Sequence, residues 1–278
     1  MIIHSDWHMH SEASYDSKLP LQEIADAADR YGFVKVGITD HFNDNSKSFT
    51  ADMYKSAEIV KEFQKTHPNF VLGVEFTPLP RPDFDYLKIH GTYEGFVSPI
   101  LNKPFDIAFP MTKEELKALG VRYAIGASHW RADTSLHDPK NPVISEWINE
   151  WHRQQMFMAC DDRVTILGHP WYSGKRLWYA DFSVIPHSMH EELAAALKEN
   201  GKFVECNAHF FIDHGTDERF RHQYAEFLRE LFEKGIPVTY GSDCHNTYDV
   251  DPAVVEPYLA DAGFTDGDFV ELTEKDLW

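Results

Sequence analysis

The sequence predicts an α/β barrel of parallel strands with a metal site on the rim where those strands end. Two features point there. Short apolar runs alternate with longer segments of helical periodicity, the pattern of repeated βαβ units, and a histidine or carboxylate closes nearly every apolar run. A chain of 278 residues is long enough to bury a barrel-sized core.

The expected strands cover residues 2–8, 34–39, 70–75, 123–128, 164–168, 203–207 and 238–242, each short and apolar as buried parallel strands are. The expected helices cover 21–31, 51–65, 113–119, 144–159, 190–199 and 217–234. In the first of these, Leu21, Ile24, Ala25 and Ala28 recur at helical spacing, with charge at Glu23, Asp26, Asp29 and Arg30. Gly32, Gly120, Gly201 and Gly235 fall where helices should stop. The rhythm breaks between 77 and 122. Pro78-Leu79-Pro80-Arg81-Pro82 cannot continue a central strand, and residues 87–90 offer one further strand. We expect an elaborated loop or small insertion here, either over the pocket or as a structural extension away from it.

The chemistry concentrates at the strand ends. Residues i and i+2 of a strand share a face, so His8 with His10, and Asp243 with His245, each present two ligands side by side. Between them His41 follows Ile38-Thr39-Asp40, Glu75 follows Leu72-Gly73-Val74, His129 follows Ala127-Ser128, and His169 follows Leu167-Gly168. Imidazole and carboxylate suit zinc, manganese and iron(II), and no thiolate stands among them to favour a structural zinc. One such histidine alone is more often a hydrogen-bonded structural residue; the joint placement points to metal. Asp40 or a backbone carbonyl should orient a ligand histidine, leaving His41 the better direct ligand, since neighbours on a strand point opposite ways. His67, His137, His187, His190 and His222 are read as surface or packing residues.

Composition narrows the partners. A formal net charge of −19 counts against a nucleic-acid polymer, whose binding needs clustered lysine and arginine, but not against a small phosphorylated substrate held through cations. No run of 18 apolar residues predicts a membrane span, and no secretory signal is expected. Three cysteines, Cys160, Cys206 and Cys244, with no CxxC, suit a reducing cytoplasm. The oligomeric state is left open.

The motifs Asp6-Trp7-His8-Met9-His10-Ser11, Thr39-Asp40-His41, Gly73-Val74-Glu75, Ala127-Ser128-His129, Gly168-His169-Pro170 and Gly241-Ser242-Asp243-Cys244-His245 resemble, in order, those of the PHP (polymerase and histidinol phosphatase) superfamily. The likeness is to its stand-alone phosphoesterases of the histidinol-phosphatase type and spans nearly the whole chain. It implies a distorted (β/α)7, TIM-like barrel over residues 1–278 and two or three divalent ions (Zn, Mn or Fe). It further implies hydrolysis of a small phosphomonoester by attack of metal-bound hydroxide. By the same resemblance His8, His10, Glu75 and Asp243 hold one ion, and Glu75 bridges to a second with His129 and His169. Asp16, His41 and His245 hold a third; Asp16 stands where relatives carry histidine. Glu75 and Asp243 are expected to be essential for catalysis. Arg131, two residues beyond His129, is expected either to clamp phosphate or to form a rim ion pair, with Lys175 and Arg176 as weaker candidates for the clamp. Asn207 resembles a pocket-lining asparagine, and Trp130, Trp171, Tyr172 and Trp178 are either core or leaving-group contacts. Phosphodiester hydrolysis, amide hydrolysis and non-catalytic metal binding stay open.

Overall fold

A computed structural model describes residues 2–42, 51–90, 107–108, 111–129, 143–172 and 177–278. The strands in chain order are β1 (Ser5–Asp6), β2 (Lys35–Ile38), β3 (His41–Phe42), β4 (Phe70–Phe76), β5 (Leu79–Pro80), β6 (Ile107–Ala108), β7 (Tyr123–Gly126), β8 (Ile166–Leu167), β9 (Phe203–Asn207) and β10 (Val238–Gly241). The main sheet runs β1-β2-β4-β7-β8-β9-β10, parallel throughout. β3 continues β2 along the same neighbour: Ile38 pairs with Leu72 and His41 with Glu75. Counted this way, the sheet has seven staves.

The first and last staves meet. Trp7 N donates to Tyr240 O at 2.9 Å, Asp243 N to His8 O at 2.8 Å and His10 N to Cys244 O at 3.0 Å. A parallel bridge pairs Met9 with Cys244. The helices among the described residues are α1 (Leu21–Tyr31), α2 (Ala51–Phe63), α3 (Arg81–His90), α4 (Lys113–Leu119), α5 (Ile144–Cys160), α6 (His187–Glu199), α7 (His209–Ile212), α8 (Glu218–Glu233) and α9 (Pro252–Asp261), of which α1, α2, α4, α5, α6 and α8 answer to the six expected. In α1 the apolar stripe Leu21, Ile24, Ala25 and Ala28 is the buried face, and Gly32, at φ 69°, ends the helix by returning its N–H to Ala28 O. At α4, Thr112 and Glu115 form a capping box. No helix among the described residues is long and apolar enough to cross a membrane.

Two expectations about elements are corrected. Residues 87–90 are the last turn of α3 rather than a strand. Tyr86 and His90, one helical turn apart, have ring centroids 4.2 Å from each other, a contact along one helix face. α9 has no counterpart in the sequence reading. Pro252 sits in its first turn behind the Asp251 cap, and Pro257 lies within it; proline inside a segment argues against a helix when only local pattern is read. In the 77–122 stretch, β5 and β6 form an antiparallel pair off the barrel.

The barrel floor is filled by Trp7, Val71, Tyr123, Ile125, Ile166, Phe203 and Leu272. Tyr123 lies across Gly37 and Gly73, where any Cβ would overlap its ring or hydroxyl, and its hydroxyl donates to Trp7 O at 2.6 Å. Leu272, 4% exposed, comes from the C-terminal tail, which is fastened by Val270 N to Val238 O at 2.9 Å. Outside the barrel His190 packs against Phe227, Phe182 and Trp171. Burial, aided by His187, pushes its pKa down to about 4.

Leu272→Ala should therefore cost ~2–4 kcal/mol, as other buried leucine truncations do; a urea midpoint within error of wild type would show that the tail is not part of the core. His190 predicts an acid effect. The unfolded chain takes up a proton near pH 6.5, whereas the folded chain resists it to about pH 4, so stability should fall as pH drops through that window. His190→Leu should flatten this part of the curve, measured as the difference in urea midpoint between pH 7.5 and pH 5.

Candidate metal centre

Along β4 the inward positions alternate as Val71, Gly73 and Glu75, so the same face that packs the floor delivers a carboxylate to the mouth. Glu75 is fully buried. Its Oε1 lies 3.0 Å from His169 Nε2, 3.3 Å from His129 Nε2 and 3.4 Å from His8 Nε2. Its Oε2 lies 2.8 Å from His41 Nδ1 and 3.4 Å from His10 Nε2. Asp243 Oδ1 is 3.2 Å from His10 Nε2 and 3.5 Å from His8 Nε2. Asp16 Oδ2 is 3.2 Å from His41 Nε2 and 3.5 Å from His245 Nε2. All nine residues singled out in the sequence thus converge at one end of the barrel.

The donor set fits divalent cations. His8 Nε2 and His10 Nε2 face each other at 3.2 Å, and His41 Nε2 and His245 Nε2 at 3.4 Å. Two ligands at ~2.1 Å from one tetrahedral ion would stand ~3.4 Å apart. Glu75 Oε2 is buried, and its 2.8 Å approach to His41 Nδ1 lacks hydrogen-bond geometry. Three groups, His8–His10–Asp243, His10–His41–His245 and His41–Glu75–His129, each bring ligand atoms within 4.8 Å of one another. A fourth, His187–Glu191–Glu230, is largely exposed and already holds Lys234, 3.0 Å from Glu191.

Electrostatics agree. Burial opposes ionisation of Glu75, yet His129, His8 and His41 outweigh it and hold its pKa well below the usual range. Burial likewise opposes charge on His8, but Glu205, Asp243 and Glu75 together raise its pKa well above normal. Burial, then His245 and His41, push His10 well below. The carboxylates demand positive charge here, and a divalent ion supplies it more compactly than protonated imidazole. Two of the nine residues also carry left-handed backbone, His169 at φ 22° and Asp243 at φ 57°, the strain found where a site over-determines its geometry.

The supporting contacts differ in part from expectation. Asp40 serves the Ser11 turn rather than an imidazole: its carboxylate accepts from Ser11 N at 2.6 Å and Ser11 Oγ at 2.7 Å, fixing the turn that leads to Asp16. Glu205 takes the orienting position instead, 2.6 Å from His8 Nδ1 and 2.5 Å from His169 N. The expected backbone carbonyl is Asp243 O: it can only accept, so His245 Nδ1 at 2.8 Å donates and leaves Nε2 open inward. Thr77 Oγ1, 3.0 Å from His129 Nδ1, and His209 Nε2, 3.1 Å from Asp243 O, were not singled out by sequence; neither closes an apolar run in a motif. Asn207 Nδ2 donates to Asp243 Oδ2 at 3.1 Å.

A cavity of about 220 Å³ opens over the cluster, walled in part by Tyr15 and Tyr172. Trp171 and Trp178 are core residues, joined by Trp178 Nε1 to Trp171 O at 2.7 Å. Arg131, Lys175, Arg176 and Trp130 lie outside the described residues. No lysine or arginine lines the cavity among the described residues.

The model of the PHP domain matches residues 6–209. Among solved structures, histidinol phosphate phosphatase from Lactococcus lactis subsp. lactis, complexed with zinc, L-histidinol and phosphate, aligns over 100% of this chain and 99% of its own. The TM-score is 0.69 at 16% identity, a likeness of fold. A probable phosphatase from Acetivibrio thermocellus is 39% identical over 61 residues, which is 22% of this chain. The match spans only 24% of that relative's length. The family match covers most of the chain, and on that ground the chain belongs to the PHP domain family.

Proposed function

We propose that this chain is a metal-dependent phosphoesterase acting on a small phosphomonoester. The observation that carries the reading is Glu75, a buried carboxylate set among five imidazoles at the mouth of the barrel. In this reading His8, His10, Asp243 and Glu75 would hold one ion, Glu75 with His129 and His169 a second, and Asp16, His41 and His245 a third, with zinc, manganese or iron as occupants. Such ions supply Lewis acidity and an activated water.

The chain's own residues set what can react. Three carboxylates against three divalent ions leave a positive surplus, suited to a phosphate and a hydroxide. With no lysine or arginine on the cavity wall among the described residues, capture of the anion depends on the ions, and on Arg131 if it clamps the phosphate. Tyr15 and Tyr172 offer aromatic edges to an organic leaving group. A cavity of about 220 Å³ matches a small ester. The zinc, L-histidinol and phosphate held by the Lactococcus lactis protein support this class and make histidinol phosphate the first substrate to try.

The test is a panel of phosphomonoesters and diesters with metal-stripped protein, adding back Mn, Zn, Fe(II) or Co. Phosphate release from a small monoester, restored by metal, is expected; activity indifferent to chelation would sink the proposal. Elemental analysis of protein purified with added metal should find two or three equivalents, and less than one would refute the ligand set. Glu75→Ala and Asp243→Ala should each abolish turnover while the far-UV spectrum is kept. Arg131→Ala should lower kcat/KM by ~10²–10³, the size of one lost transition-state donor; an unchanged value removes Arg131 from the site without touching the metal assignment.

A further inference from the structure

We infer that Glu205 is a positioning residue of the metal centre, using both carboxylate oxygens to fix His8 and His169 at once. This rests on the cluster being a metal site, as proposed above. Glu205 points inward from β9 and is 1% exposed. Its Oε1 is 2.6 Å from His8 Nδ1, beyond β1, and its Oε2 is 2.5 Å from His169 N, beyond β8. The only ion pair it makes among the described residues is with His8, so no lysine or arginine explains its burial.

Each contact does separate work. With Nδ1 donating to Glu205, His8 turns its Nε2 lone pair toward His10, Glu75 and Asp243, at 3.2, 3.4 and 3.5 Å. The His169 amide belongs to a residue at φ 22°, and its hydrogen bond holds that strained turn where His169 Nε2 meets Glu75 at 3.0 Å. The route between the two is cleared by Gly241 on β10. A Cβ there would collide with Glu205 Oε1 and with His8 Cβ, so glycine at 241 is what lets a carboxylate from β9 reach across β10 to His8.

The geometry sets a sharp requirement. Both oxygens accept from N–H donors. Glutamine matches the shape but has one acceptor oxygen, and its amide NH2 would face one of the two donors. Glu205→Gln should therefore fail nearly as badly as Glu205→Ala, whereas a side chain that merely fills space would tolerate the isostere.

The experiment is zinc titration against a chromophoric chelator, with metal-stripped full-length wild type, Glu205→Gln and Glu205→Ala. Urea unfolding of the metal-free proteins runs alongside. Zinc affinity at one or more sites should fall ~10–100-fold in both variants, the usual effect of losing a partner behind a ligand. Equal affinity in folded Glu205→Gln and wild type overturns the inference and leaves the metal reading intact. Wild type that binds no zinc overturns both. Should the variants not fold, ¹⁵N-histidine NMR of zinc-loaded wild type decides: His8 should carry its proton on Nδ1 with Nε2 bound to metal, and the opposite tautomer excludes the role.

Discussion

Burying Glu75 at the barrel mouth is the constraint around which the rest is arranged. A carboxylate taken wholly from water is costly unless it is paired, and here the pairing comes from five histidines on four different segments of chain. His8 and His10 follow β1, His41 begins β3, His129 follows β7 and His169 follows β8. Each must reach the same few ångströms, so the staves must close and their ends must align. Glu75 sits on the longest strand, β4, which is flanked by β2 with β3 on one side and β7 on the other.

The two ends of the barrel divide the labour. The floor is apolar, packed by Tyr123 against glycines that leave it room and plugged by Leu272 from the tail. The mouth is polar, strained at His169 and Asp243, and would be unstable if the floor did not hold the strands in register. Stability at one end and chemistry at the other is the usual arrangement of α/β barrels, and it explains how a site so crowded with like groups persists.

Buried carboxylates outside the metal cluster hold the seams. Asp6 accepts from Ser242 N at 3.0 Å, His8 N at 3.2 Å and Tyr248 hydroxyl at 2.9 Å, tying β1 to the segment after β10 where the barrel closes. Asp40 holds the Ser11 turn, and Glu205 spans from β9 to His8. In Asp6 and Glu205 a side chain with two acceptor oxygens satisfies donors from separate segments, which one hydroxyl or one amide oxygen cannot do equally well.

By itself the sequence determined the alternation of strands and helices, since two-residue and 3.6-residue periodicities are local properties. It also determined which residues stand at strand ends, because parallel strands are apolar until they leave the core. α1 and α4 end at their glycines as read, for the same local reason. Tertiary structure decided what spacing along the chain does not encode. Residues 87–90 read as a strand but finish a helix, and α9 forms despite its prolines because Val255 and Leu259 are buried. The choice of Glu205 over Asp40 behind a histidine was likewise invisible. Both carboxylates sit at apolar runs, and only the approach of β9 to His8 past Gly241 brings one of them within 2.6 Å of the ring.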